Sequence, residues 1–269
     1  MKKFSSILVL LTVFALSCQK ELATADTDGP ADEIPGLLKK MVSYTLPDST
    51  NTIVEDFIYD GSGRLMGKAF DFGVFRGHTN FYRDANGRIK RMAFASSQNN
   101  WDTVFTDVIY ENATSTRVSY LSDSSAVFFY DANNRVSRTD TYQAYPNPGN
   151  ALKLVVYHLY SYDASGNTTK REEYVDRDGN GSFKLNFTYR LEYDNNINPL
   201  HPLDDALIEW QFLARSPNNL TKQMNDPADP SGTDDENITI YEYGSDQKPQ
   251  AALFMGGDGR KVRTKYYYY

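Results

Sequence analysis

The segment of this chain best placed to do chemistry is "DRDGNGS" at 176–182. Asp176, Asp178 and Asn180 fall at positions 1, 3 and 5 of a calcium loop, with Gly181 at position 6, where such a loop turns sharply. Calcium takes oxygen ligands, so three oxygen-bearing side chains at this spacing make a calcium candidate. The twelfth position should supply a bidentate Glu and is Phe187. The same residues also make an ordinary glycine-rich hairpin turn, which is the preferred reading.

Other reactive constellations are harder to assemble. His78, His158 and His201 do not lie at metal-ligand spacing, and no HExxH occurs. His158 alternates into a strand and is expected at its surface, while His201 sits between Pro199 and Pro202. No GxSxG supplies a nucleophile and no glycine loop before a helix cradles phosphate. Carboxylate pairs could hydrolyse glycosides. Asp204 and Asp205 are explained by helix capping, however, and Asp234, Asp235 and Glu236 by a solvated loop. No catalytic residue, cofactor or structural metal is therefore assigned, and the chain is not expected to be an enzyme. Aromatics remain: 20 Tyr, 15 Phe and 2 Trp. Most suit sheet interiors, but exposed rings stack on apolar sugar faces. Trp101 and Trp210 are the ligand-binding candidates.

The elements that must position these residues are strands. "NFTYRLEY" puts Phe187, Tyr189, Leu191 and Tyr193 on one face and Thr188, Arg190 and Glu192 on the other. "WDTVFTDVIY" and "KLVVYHLYSY" alternate likewise. Turn signals recur as "DGSG", "DANG", "DANN", "DASG", "DGNG" and "GGDG", and four of them follow or lie close to a Tyr. Strand, tight turn and strand in succession predict an all-β, antiparallel meander of roughly fourteen strands, forming a strongly curved sheet or barrel-like domain. One short helix is expected near residues 204–214, with Asp204 as N-cap and Trp210 on its apolar stripe.

The N-terminus carries an address. Lys2 and Lys3 precede an apolar run from Phe4 to Leu16, and "ALSC" ends in Cys18, the single cysteine. This resembles the lipobox of bacterial lipoproteins, which implies cleavage before Cys18 and lipidation of its sulfur. Residues 1–17 are then a signal peptide, residues 18–36 a flexible acidic tether, and residues 37–269 one antiparallel β domain. Loss of Lys2 and Lys3 from 28 basic residues takes the net charge from −7 to about −9. An acidic chain is a poor partner for nucleic acid, whose binding needs a clustered basic face.

Tyr-Asp turns, "NP" after the last of them, "SPNN" at 216–219 and a tyrosine-rich end resemble a Bacteroidetes secreted lipoprotein family of unknown function. The resemblance covers about Val42 to Tyr269 and implies a porin-like β fold. The Tyr-Asp turns also faintly resemble the YD repeats of toxin-encapsulating shells. "DST" at Asp48 and "DTV" at Asp102 look like the O-glycosylation signal of exported Bacteroidetes proteins, which makes Ser49 and Thr103 modification candidates. Outward charges such as Arg190, Glu192, Lys170, Glu172, Arg135 and Arg138 argue against lipid around the wall. The expectation is an outer-membrane protein held by lipid alone, facing the periplasm or the surface. Gln19 rather than Asp after Cys18 favours that membrane, by analogy with better-known sorting rules. It would bind a glycan or an envelope protein through an aromatic and polar sheet face. A polysaccharide-acting hydrolase and a structural or assembly component are the alternatives.

Overall fold

The computed structural model describes residues 34–120, 124–144, 151–201, 203, 216–227 and 235–269. Cys18, Trp210, the signal segment and the helix expected near 204–214 lie outside the described residues.

The chain folds as a closed barrel of sixteen antiparallel strands, each paired with its sequence neighbours, and closed by the first strand on the last. The strands are β1 (Leu38–Thr45), β2 (Thr50–Tyr59), β3 (Leu65–Asp71), β4 (Arg76–Arg83), β5 (Ile89–Ser96), β6 (Val104–Asn112), β7 (Ser115–Tyr120) and β8 (Ser124–Tyr130). They continue as β9 (Val136–Ala144), β10 (Leu152–Tyr162), β11 (Thr168–Val175), β12 (Lys184–Ile197), β13 (Asn218–Pro227), β14 (Asp235–Tyr243), β15 (Pro249–Met255) and β16 (Lys261–Tyr268). The barrel-like all-β expectation holds, with sixteen strands in place of fourteen. The undercount has a physical cause: strands such as "STRVSY" (β7) and "NNLTKQMNDP" (β13) are too polar to display alternation.

The Tyr-Asp stretches are the hairpins of one end of the barrel. In the β2–β3 turn, Asp60 Oδ1 accepts from the backbone N–H of Ser62 and of Arg64, and Oδ2 accepts from Arg64 Nε. Asp84 does the same for Asn86 and Arg88, and Asp131 for Asn133 and Arg135. The fourth turn residue is left-handed, as at Gly63 (φ 80°) and Asn134 (φ 60°), which is why Gly or Asn stands there. The register shifts by one residue at the Tyr before several of these turns, as at Ile58/Tyr59 and Ser161/Tyr162.

The tyrosines have their own task. Tyr59, Tyr162 and Tyr268 end β2, β10 and β16, and each donates its hydroxyl to the carbonyl at the start of the preceding strand. The acceptors are Leu38 (2.7 Å), Val136 (2.7 Å) and Pro249 (2.8 Å). At the β2–β3 and β10–β11 turns, Asp thus closes the turn and Tyr ties it to the neighbouring strand. A buried hydroxyl needs such a partner.

Register separates two faces. The inward face gathers Leu38, Phe57, Leu65, Phe81, Met92, Val118 and Phe128 into one core toward the turn end, with Leu203 of the β12–β13 connection packed into it. Farther along, the bore mixes inward rings, with Phe70 stacked on Phe94, and ion pairs. Glu55 pairs with Lys68 at 2.8 Å, and His158 Nε2 meets Glu173 at 3.2 Å. His158 is therefore turned inward with Glu173, not outward at the strand surface as expected from alternation. The neighbouring register settles this, since His158 lies opposite Thr139, and Thr139 opposite Phe128 of the core.

Candidate functional site

Three places were marked by residue type or shape: the loop at 176–182, the wall around Trp101, and the turn-end mouth of the barrel.

In the β11–β12 loop, Asp176 is buried, and its two carboxylate oxygens accept the backbone N–H groups of Asn180 (3.2 Å) and Gly181 (2.8 Å). Asp178 and Asn180 are exposed, and Asn180 accepts from the N–H of Ser182. The acceptors of Asp176 and Asn180 are thus directed at the loop's own backbone, as a turn requires. Among the described residues no group of three or more His, Cys, Asp or Glu side chains is placed to hold a metal ion.

The wall of the barrel carries charge on its outward positions. Lys40 pairs with Asp56, Arg91 with Asp107, Arg190 with Asp226, Lys222 with Glu236 and Arg263 with Glu242, each pair cross-strand. Lys170 and Glu172 pair along β11. Arg138 also faces out, where it neutralises the buried Asp140 and lies over Tyr157 at 4.5 Å. Arg135, expected among these outward charges, sits instead on the β8–β9 turn with its guanidinium over the Tyr162 ring at 4.5 Å. A lipid-facing band would have to be apolar over about 25 Å of wall. Paired charges in mid-strand are compatible with water.

Between these pairs lies an aromatic trough. On β5 the outward side chains are Arg91, Ala93 and Ala95. They face Tyr82, Asn80 and His78 on β4, and Asp107 and Phe105 on β6. The two alanines are covered by their larger neighbours, and beside them a hollow of ≈ 520 Å³ is bordered by Tyr82, Lys90, Arg91, Phe105 and Asp107. Phe105 is 50% exposed and Trp101 52%. Trp101 belongs to the β5–β6 loop, has a left-handed backbone (φ 65°) and stacks on His78, with centroids 6.2 Å apart at 18°. Thr103 is exposed two residues away, and Ser49 is exposed on the β1–β2 loop at the same end of the barrel.

The third place was not legible in advance. At the opposite, turn end, a cleft of ≈ 680 Å³ opens between the hairpins and is bordered by Tyr110, Tyr130, Tyr162, Arg88, Arg135 and Asn133. Its residues come from four separate hairpins, so no local pattern marks it.

Burial and hydrogen bonding shift several ionisable groups. Burial alone would raise the Asp60 carboxyl, but the hydrogen bonds from Ser62 and Arg64 outweigh it and hold it at about 2. Asp84, Asp131 and Asp163 are lowered in the same way. Glu173 is lowered by its hydrogen bond to His158, against the opposing effect of burial. Burial raises the Tyr193 and Tyr266 hydroxyls to about 12.

No family model matches this chain, and no curated protein does. Among solved structures, a porin-like protein from Bacteroides vulgatus has a TM-score of 0.52 at 12% identity, over 87% of this chain and 98% of that one. A porin-like protein from Bacteroides uniformis covers 88% of this chain and 100% of its own, at 11% identity. Its TM-score of 0.33 is too low to carry an argument. What this chain shares with the Bacteroides vulgatus protein is the porin-like barrel fold.

Proposed function

We propose that this chain is a lipid-anchored cell-envelope protein of the outer membrane. In this reading its barrel stands in water and acts as a non-enzymatic binding module, presenting the Tyr82, Phe105 and Trp101 trough to a glycan. The observation that carries the reading is the outward wall itself, where exposed aromatic rings alternate with paired charges. Sugar rings offer apolar C–H faces bordered by hydroxyls, and this wall offers aromatic faces bordered by Arg91, Asp107 and Asn80. A porin-like barrel usually suggests a membrane-spanning pore, and two features count against that here. The wall is charged, and the turn end of the bore is packed with core side chains.

The anchored reading implies an orientation. Gly36 donates its N–H to the Tyr269 carbonyl, so the described chain enters at the turn end. A tether from Cys18 therefore holds the turn end toward the bilayer and leaves the loop end, with Ser49, Thr103 and Trp101, pointing away.

The test is binding of the full-length protein to immobilised β-glucan, mannan and xylan, beside the double variant Phe105→Ala, Trp101→Ala. Retention on at least one polymer, reduced ~10-fold or more in the variant, is expected from the loss of about 1.4 kcal/mol or more of stacking. Retention that the variant leaves unchanged, or none on any polymer, would sink the reading.

A further inference from the structure

The turn-end cleft carries an inference independent of the wall. We infer that it is a second ligand site, built for a short neutral saccharide. Its volume of ≈ 680 Å³ lies within the range of small-molecule sites, a few hundred to about a thousand Å³. Its chemistry is set by two repeats of one device. Arg88 lies over Tyr110 at 4.2 Å while Asp84 holds its Nε and Nη2. Arg135 lies over Tyr162 at 4.5 Å while Asp131 holds its Nε and Nη2.

Each guanidinium is thereby paired with a carboxylate, held over a ring, and left with three of its five N–H groups beyond those the aspartate accepts. An anionic ligand would compete with Asp84 and Asp131 for the same cations, so the cleft is poorly suited to strong acids. A neutral ligand meets planar donors at no such cost. Asn133 and Asn134, exposed at the rim, add amide groups that can both donate and accept, and Asn112, whose Oδ1 already accepts from Thr114, adds an amide donor. Tyr130 adds a third ring. Planar donors, amides and rings alternating over a few ångströms match a molecule with hydroxyl edges and C–H faces. A peptide would instead look for an unpaired strand edge, and a closed barrel has none.

The arrangement also explains a sequence detail. Arg follows the turn at three of the Tyr-Asp hairpins and is replaced by Asn167 at the fourth. Asn167 donates to Asp163 as the arginines do to their aspartates, but it also bonds Asn218 of β13 and has no guanidinium to lay over a ring. The arginines over Tyr110 and Tyr162 are those at the cleft.

The full-length protein would be titrated with neutral hexasaccharides of β-glucan, mannan and xylan, with hexagalacturonate and with an unstructured decapeptide, by calorimetry and ligand-observed NMR. Two cleft variants and the wall variant would be run in parallel. Ala113→Trp fills the cleft from an exposed turn position without removing any hydrogen bond described above, and Arg135→Lys keeps the charge but loses the planar stack. The expected result is binding of at least one neutral hexasaccharide. Ala113→Trp should weaken it ~10-fold or more and Arg135→Lys several-fold, with the far-UV spectrum intact. The wall double variant should leave this site unchanged, which separates its failure from failure of the trough. Binding of hexagalacturonate or peptide only, of no probe, or of neutral sugar undiminished in Ala113→Trp, would overturn the inference.

Discussion

Replacing Asp131 by Ala tests whether the Tyr-Asp turns are structural joints. The carboxylate accepts the N–H groups of Asn133 and Arg135 at 2.9 Å each, and Arg135 Nε and Nη2 at 2.9 and 2.7 Å. The two backbone bonds resemble those of a helix N-cap, whose loss costs about 0.5–2 kcal/mol. The ion pair, with side chains 25% and 31% exposed, adds no more than about 1 kcal/mol. A total near 2 kcal/mol is expected for Asp131→Ala. Asp131→Asn keeps one oxygen for the two backbone donors and loses mainly the ion pair, so about 0.5–1 kcal/mol is expected there. Equilibrium urea unfolding followed by far-UV circular dichroism would read both, as a shift in midpoint at constant slope. Asp131→Ala within about 0.5 kcal/mol of wild type, or Asp131→Asn as damaging as Ala, would refute the reasoning.

Two further predictions follow from packing and charge. A Cβ at Gly77 would meet Phe70 Cζ at 2.4 Å and the Ala95 carbonyl at 2.7 Å, so Gly77→Ala should cost about 1–3 kcal/mol in the same assay. Gly61→Ala, with nothing within 4 Å, should cost little, and equal effects would contradict the inward packing of Phe70. The turn aspartates set the acid limb of stability. Their folded pKa values lie below the unfolded value, with Asp60 at about 2. Their contribution is therefore complete above pH ~4 and lost as pH falls toward 2. The urea midpoint should drop over that window and drop less in Asp60→Asn; a midpoint that rises on acidification would contradict the turn geometry.

The fold was legible where side chains alternate and where turn chemistry is local. "NFTYRLEY" in β12 divides inward and outward residues as alternation predicts, with Tyr189 opposite Arg171 and Arg190 opposite Lys170. Barrel closure was less legible, because pairing of β1 with β16 joins Met41 to Tyr266 across almost the whole chain. The partners of the Tyr hydroxyls were hidden for the same reason, lying 19 to 26 residues back in sequence. Trp101 could be singled out as one of two tryptophans, with Asp102 beside it. Its stacking on His78 depends on a left-handed backbone that no pattern announces. Arg88 and Arg135 read as ordinary turn residues until register brings their hairpins to a common cleft.

The central claim is that this porin-like barrel has its wall in water. It is tested most directly by preparing the chain without residues 1–17 and with Cys18→Ala, and adding no detergent. Single environment-sensitive labels would be placed at outward Phe105 and Ile240, which are 50% and 53% exposed. A soluble, β-rich protein is expected, with labels that report water and do not change when lipid vesicles are added. A chain that folds only in detergent or bilayers, with both labels moving into an apolar environment, would contradict it.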